Sequence, residues 1–328
     1  KRGKNMAMKV AIPQDITDAG KNFLREKGYE LIIGDGDVSQ EHLAELLKDA
    51  DALLARTAKY APETIASAKN LKVIGRHGVG YDNLPVAYCL EHGIAVYITP
   101  RANSEAVAEH TIALMLASVK KISYSDREVR KGEWSFRNHL GGYNLAGKTL
   151  GIIGLGRIGR LVAEKAVKGL GMQAIGYDAF LPESAFPEGV KAAKSMEEIY
   201  EQADIVTLHV PSTPESIGMI NAKTLGLMKK NAHLINAARG DLVNEADLYE
   251  ALKSGVIAGA AVDVIGKEPP EVTNPLLSLD NFIITPHSAA LTQESMDNMG
   301  LHAAMAIHDV LSGADTSAPG KPYGRVNG

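Results

Sequence analysis

Short apolar runs alternate with amphipathic stretches along most of the chain. MKVAIP (8–13) has the length and continuity of a buried strand, and Asp15–Lys27 follows with helical periodicity. YELIIG (29–34), DALLAR (51–56), LKVIG (71–75) and IAVYI (94–98) predict further strands. SQEHLAELLKD (39–49), Pro62–Ala68 and Leu84–Glu91 predict the helices between them. Strand then helix, repeated, calls for a parallel sheet covered on both faces. Asn103–Lys131 then reads as one long helical pattern, apolar at first and charged later.

The period is lost over 131–148, which holds the only tryptophan. A second strand–helix series starts at TLGIIG (149–154) and continues through QAIGYD (173–178), DIVTLHV (204–210), AHLINAA (232–238), GAAVDV (259–264) and NFIITP (281–286). A last helix is expected over Gln293–Leu311, with the final residues as a loose tail. Glycine is enriched at 32 of 328 residues, and ten of these fall between positions 141 and 176. The surplus therefore marks the start of the second series.

Composition excludes several classes. With 45% hydrophobic and 23% charged residues, the chain can fill a core without staples, and its length suggests about two domains. Net charge is −4, and more negative still without Lys1, Arg2 and Lys4, so a phosphate backbone is a poor match and no nucleic-acid partner is expected. The opening residues Lys1–Asn5 stand ahead of the first strand and are set aside as a remnant or extension. A single cysteine, Cys89, fits a reducing compartment, and no His or carboxylate spacing reads as a metal site. The longest apolar stretches, such as Thr111–Val119, are about half a membrane span, and no signal-peptide pattern precedes the first strand. A cytoplasmic protein with no membrane partner is the expectation.

The clearest local signal is Gly154, Gly156 and Gly159, a G-x-G-x-x-G between an apolar strand and a helix. The first glycine allows the tight turn, the second lets the backbone approach a pyrophosphate, and the third lets the helix pack on its strand. A glycine-rich turn with only a packing role is the competing reading. The next strand ends at Asp178, 19 residues beyond Gly159, where a carboxylate accepts hydrogen bonds from ribose hydroxyls. That charge repels a 2′-phosphate, and Ala179 and Phe180 bring no compensating arginine, so NAD is favoured over NADP.

Three polar residues follow predicted strands of the second series: Arg239, Glu268 and His287. An arginine fork grips a carboxylate, a histidine exchanges a proton with a hydroxyl, and a glutamate orients the histidine and stabilises its cation. Other readings remain open at this level. Arg239 also fits a surface cation, Glu268 a loop carboxylate before Pro269-Pro270, and His287 a core histidine at a strand end. His77, in HGVG (77–80), is a rival base, whereas His110 and His209 read as packing within a helix and a strand.

Taken together, GRHGVGYDN (75–83), NSEAVAEH (103–110), GKTLGIIGLGRIGR (147–160), LHVP (208–211), NAARGDLVNE (236–245), AAVDV-x-x-x-EPP (260–270) and TPH (285–287) resemble the D-isomer-specific 2-hydroxyacid dehydrogenases, from about residue 8 to 311. The resemblance implies an α/β fold of two doubly wound parallel-sheet domains, with a Rossmann NAD domain (103–289) inserted into a flavodoxin-like substrate domain (6–102 and 290–328). The substrate cleft would lie where the chain crosses twice. It further implies an NAD-dependent oxidoreductase interconverting a small D-2-hydroxy acid and its 2-keto acid, working as a homodimer built through the cofactor domain.

By the same resemblance, Arg239 binds substrate and Glu268 and His287 act as the catalytic pair. Gly78, Val79 and Gly80 would hold the substrate carboxylate, and Arg56 matches a substrate-contacting arginine of the phosphoglycerate dehydrogenase branch, against a plainer reading as a solvated cation. Arg157 and Ile158 would lie over the pyrophosphate. Val210, Ala237, Ala238 and Asp263 would line the adenine and nicotinamide ends, with Arg239, His287, Ser288, Ala289 and Ala290 completing the cofactor contacts. Ser288-Ala289-Ala290 departs from the two small, glycine-like positions more often found in phosphoglycerate dehydrogenases, and the long C-terminal regulatory region that some of these carry is not expected here. Glu268 argues against the formate dehydrogenase branch, which has glutamine there, and Tyr81 and Arg101 look individual. Hydroxypyruvate or glyoxylate reduction and 3-phosphoglycerate oxidation are alternatives within the class. An NAD(H)-responsive binding protein of the co-repressor kind is the alternative outside it. Asp178 generates the first prediction: NADPH binds far more weakly than NADH in a fluorescence titration, and equal affinities would overturn the assignment.

Overall fold

Parallel strands need crossovers, and this chain supplies them as helices in two successive series. The computed structural model describes residues 7–326, so Lys1–Asn5, set aside above, lies outside the described residues, as do Met6, Asn327 and Gly328. The chain divides into two units. One comprises the residues up to Ser104 together with those from Ala290 onward, and the other spans Glu105–Ala289.

In the first unit the strands are β1 (Lys9–Ile12), β2 (Glu30–Ile33), β3 (Ala52–Ala55), β4 (Val73–Arg76) and β5 (Ala95–Ile98). They pair in parallel in the order β5-β4-β3-β1-β2, the flavodoxin-like order, which reverses direction between β1 and β3. The central strands are apolar on both faces. Val10, Ile12, Ala52 and Leu54 pack on one side with Ala303 and Ile307 of the helix Gln293–Ser312, while Ala11, Leu53 and Ile74 pack on the other with Leu43 and Leu47. Burying each of the larger aliphatic side chains is worth about 1.5–3 kcal/mol. The helix Asp18–Glu26 crosses Gln293–Ser312 so closely that a Cβ on Gly20 would stand 2.6 Å from the Gly300 carbonyl oxygen.

In the second unit the strands are β6 (Thr149–Ile153), β7 (Gln173–Tyr177), β8 (Val190–Ala192), β9 (Ile205–Leu208), β10 (His233–Asn236), β11 (Gly259–Val262) and β12 (Phe282–Ile284). All pair in parallel in the order β12-β11-β10-β9-β6-β7-β8. The order reverses between β6 and β9, so the carboxyl ends of those two strands frame a crevice. The architecture is thus two doubly wound parallel-sheet α/β domains, as the sequence implied.

Three local expectations are corrected. Asn103–Lys131 is not one helix: Ser104–Val119 and Ile122–Arg130 are separated where Lys121 takes a left-handed backbone conformation (φ 54°). The C-terminal residues are not loose. Gly324–Arg325 forms β13, antiparallel to β5, while Lys321 and Tyr323 both donate to the Asp309 carboxylate. Strand β8 was not anticipated at all. Among the described residues, no helix is long and apolar enough to cross a membrane.

The packing shields three imidazoles, with His77 and His233 buried and His209 half-buried. Burial holds His209 down to about 4, His77 likewise with help from Arg56 and Arg76, and His233 likewise with help from Lys121. Unfolding returns each to about 6.5, so the unfolded chain binds more protons between these values. Stability is therefore intact above pH 6.5 and lost as pH falls toward 4, at about 1.4 kcal/mol per pH unit for each such histidine. A thermal midpoint that drops steadily from pH 7 to pH 5 is expected, and a flat one would contradict the buried neutral forms.

Candidate active site

The Gly-rich turn opens the crevice between β6 and β9. Gly154 takes φ 95°, and a Cβ there would stand 2.7 Å from the His209 carbonyl oxygen, so no other residue fits without strain. A Cβ on Gly159 would meet the Gly154 oxygen at 2.1 Å, which is why the helix Arg157–Glu164 can start so close to its strand. Gly156 differs: nothing lies within 4 Å of its Cβ position, and it caps the helix with no side-chain hydrogen bond. Open space at an uncapped helix N-terminus, floored by backbone N–H groups, is the cradle a pyrophosphate requires. Asp178 lies at the end of β7. Its Oδ2 accepts from the Leu155 N–H at 2.8 Å and its Oδ1 from those of Phe180 and Leu181, tying the two strand ends together. A carboxylate has about four acceptor positions, so capacity remains for ribose hydroxyls. The residues present therefore fit a dinucleotide. Val210 packs against Gly154, Ile158 is half-buried and Arg157 exposed.

Arg239, Glu268 and His287 follow β10, β11 and β12, adjacent parallel strands, so all three emerge at one edge of the sheet. Asn236, 1% exposed, shapes the first loop. Its side chain accepts from the Ala238 N–H and donates to the Arg239 carbonyl oxygen at 2.7 Å. Ala237, Ala238 and Arg239 are half-buried there. A Cβ on Gly240 would fall 2.1 Å from the Ile265 carbonyl carbon, so this glycine lets the Arg239 loop lie against the loop leading to Glu268. Glu268 Oε1 accepts from the Ile265 N–H at 3.3 Å, and its Oε2 stands 2.7 Å from His287 Nδ1. The structure thus joins Glu268 and His287 directly and sets Arg239 on the neighbouring loop. Both members of the pair stay open to solvent.

His287 is held in an unusual turn. Its φ is 51°, a region costing about 1–3 kcal/mol for a residue with a side chain. The turn is fixed by Asp263 at the end of β11, which is 1% exposed. Asp263 accepts from the Ser288 and Ala289 N–H groups at 2.9 and 2.8 Å and from the Thr285 hydroxyl at 2.5 Å, while its carbonyl oxygen accepts from the His287 N–H. Burial pushes the Asp263 carboxyl up, but the His110 imidazole 3.5 Å away and these bonds outweigh it and hold the group below the usual carboxylate range. The resemblance counts Asp263 among the residues lining the adenine and nicotinamide ends; its bonds to the His287 turn are a further feature that spacing does not show. His110 was read as packing, yet its Nε2 lies 2.9 Å from the Thr285 hydroxyl. Sequence gave no sign of that link, because the partners are 175 positions apart.

The other residues named above belong to the first unit. Arg56 follows β3 and donates to the Asp15 carbonyl oxygen at 2.5 Å. Gly78, φ 129°, donates to the Thr99 hydroxyl at 2.9 Å and accepts from the Thr99 N–H. Among the described residues, the Val79 and Gly80 N–H groups have no partner, which leaves two donors on one turn. His77 is buried and neutral near pH 7. With its proton affinity lowered that far, it is a poor acceptor for a substrate proton. Ala290 begins the return of the chain to this unit, and Tyr81 is exposed.

Residues 112–289 match the family described as D-isomer specific 2-hydroxyacid dehydrogenase, NAD binding domain. The chain is 44% identical over 93% of its length to the D-3-phosphoglycerate dehydrogenase of Methanocaldococcus jannaschii, and spans only 58% of that enzyme. It is 36% identical to the glyoxylate reductase of Korarchaeum cryptofilum, covering 90% of both chains. Among solved structures, the D-lactate dehydrogenase of Aquifex aeolicus complexed with NAD and lactic acid superposes with a TM-score of 0.83 at 29% identity, covering 98% of this chain and 99% of the other. The contact at Gly240 yields a prediction about the framework alone. Gly240→Ala forces two backbones apart and should destabilise the fold by about 1–3 kcal/mol. A lowered urea midpoint at unchanged slope is the expected reading, and an unmoved midpoint would contradict the close approach.

Proposed function

The chain belongs to the D-isomer specific 2-hydroxyacid dehydrogenase family, and from that premise we propose that it interconverts a small D-2-hydroxy acid and its 2-keto acid with NAD. The observation that carries this reading is the 2.7 Å contact between Glu268 and His287, on the same strand edge as the Gly-rich cradle. With Nδ1 engaged by the carboxylate, Nε2 is the ring nitrogen left to exchange a proton with substrate oxygen. In reduction, protonated His287 delivers that proton to the carbonyl oxygen, and in oxidation the neutral ring accepts it from the hydroxyl. Glu268 holds the ring in place through Nδ1. Arg239 grips the substrate carboxylate and draws charge onto the carbonyl oxygen. Gly154, Gly156 and Gly159 with Asp178 would hold the dinucleotide, which when bound supplies the hydride donor or acceptor.

For the substrate, the 44% identical relative favours 3-phosphoglycerate and the 36% identical one favours glyoxylate. Arg56 and the free N–H groups of Val79 and Gly80 supply charge and donors for an anionic substrate in either case. We further propose a homodimer formed through the unit that carries the Gly-rich turn. Ile122, Val129 and Trp134, exposed by 53%, 44% and 64%, follow one another along one stretch of its surface and need covering. Cys89, a buried free thiol, supports a reducing, cytoplasmic location.

A spectrophotometric panel of 2-keto acids with NADH tests the reading. His287→Ala should lower turnover by about 10²–10⁴-fold with NADH binding close to normal. Arg239→Ala should act mainly on the 2-keto acid KM. Unchanged turnover in the histidine variant would sink the mechanism.

A further inference from the structure

The Thr285 hydroxyl has one hydrogen and two close partners, Asp263 Oδ1 at 2.5 Å and His110 Nε2 at 2.9 Å. Two oxygens at 2.5 Å, one of them on a carboxylate, need that hydrogen between them, because otherwise lone pair would face lone pair. Asp263 is held in its ionised form by the hydrogen bonds around it. The hydroxyl therefore donates to Asp263, and toward His110 it has only a lone pair to offer. His110 Nε2 must carry a hydrogen and donate it, and the same nitrogen stands 3.5 Å from Asp263 Oδ1.

We propose that His110 is a positioning residue for His287. Its Nε2–H fixes the Thr285 hydroxyl onto Asp263, and Asp263 in turn holds the Ser288 and Ala289 N–H groups that set the left-handed turn at His287. The helix Ser104–Val119 thereby has a hold on the proton-exchanging group at the end of β12, through three side chains rather than through apolar contact. The relay ends at the His287 backbone. It governs where the ring points, leaving the Glu268 contact to govern its tautomer. The kinetic part of this inference rests on the dehydrogenase reading, whereas the structural part does not.

The test compares His110→Leu, which removes the donor at similar bulk, with His110→Gln, whose side-chain amide offers an N–H at similar reach. Amide hydrogen exchange at Ser288 and Ala289 should quicken about tenfold in the leucine variant and return close to the parent rate in the glutamine variant. With a 2-keto acid and NADH, kcat should fall about tenfold or more in the leucine variant at nearly unchanged 2-keto acid KM, and recover in the glutamine variant. Thr285→Val should reproduce the loss and Thr285→Ser relieve it, which decides the matter even if His110→Leu fails to fold. The double variant His110→Leu/Thr285→Val should lose no more than either single change. Parent-like exchange and turnover in His110→Leu, or a glutamine variant as impaired as the leucine one, would overturn the proposal. If the parent protein oxidises NADH with no 2-keto acid at all, the dehydrogenase reading falls and amide exchange alone decides the role of His110.

Discussion

A carboxylate removed from water must be answered by donors, and Asp263 is almost wholly removed from it. Two backbone N–H groups and a hydroxyl converge on it from the segment after β12. They do so only if that segment doubles back tightly, and the doubling back is what places His287 in a sterically poor conformation. The strain at one residue is thus offset by charge-assisted bonds at its neighbours, each roughly twice as strong as a neutral one. A histidine that must meet Glu268 on one side and substrate on the other benefits from a backbone with one permitted course.

The two units reuse the same βα unit and treat the point where strand order reverses in opposite ways. In the first, Gln14 after β1 reaches across to β3, where its Oε1 accepts from the Thr57 and Ala58 N–H groups and its amide donates to the Thr57 hydroxyl. Arg56 adds a bond to the Asp15 carbonyl oxygen. That reversal is laced shut by side chains. In the second, the turn after β6 is built from glycines, and the Gly156 backbone faces empty space. A reversal of strand order therefore does not by itself give binding capacity; the difference lies in whether side chains occupy the crevice.

Much of this was legible before any coordinates. The eleven strands named from apolar runs all form, and the central ones are apolar throughout because they are buried on both faces. Strands β8 and β13 escaped notice because VKA and GR are short, half-exposed edge segments with no such signature. The helix break at Lys121 was invisible for a different reason: neither proline nor glycine marks it. In the site, Gly154, Gly159 and Asp178 could be read from spacing, since the turn's geometry dictates residue type. Ligation of Asp263 by the His287 turn could not, because an aspartate with one donor partner and one with three are written alike. The His110 hydrogen bond is hidden for a related reason: helical period says which way a side chain faces but not what waits there.

The short antiparallel strand β13 has a consequence for solubility. In a sheet whose other strands all run one way, an uncovered β5 would present a row of unsatisfied N–H and C=O groups to its surroundings. Such an edge is an invitation to pair with the same edge of another molecule. The C-terminal segment, pinned by Lys321 and Tyr323 on Asp309 and by Tyr97 on Thr316, takes that place with the chain's own backbone. A few residues lacking any catalytic assignment thereby serve as a guard against self-templated aggregation.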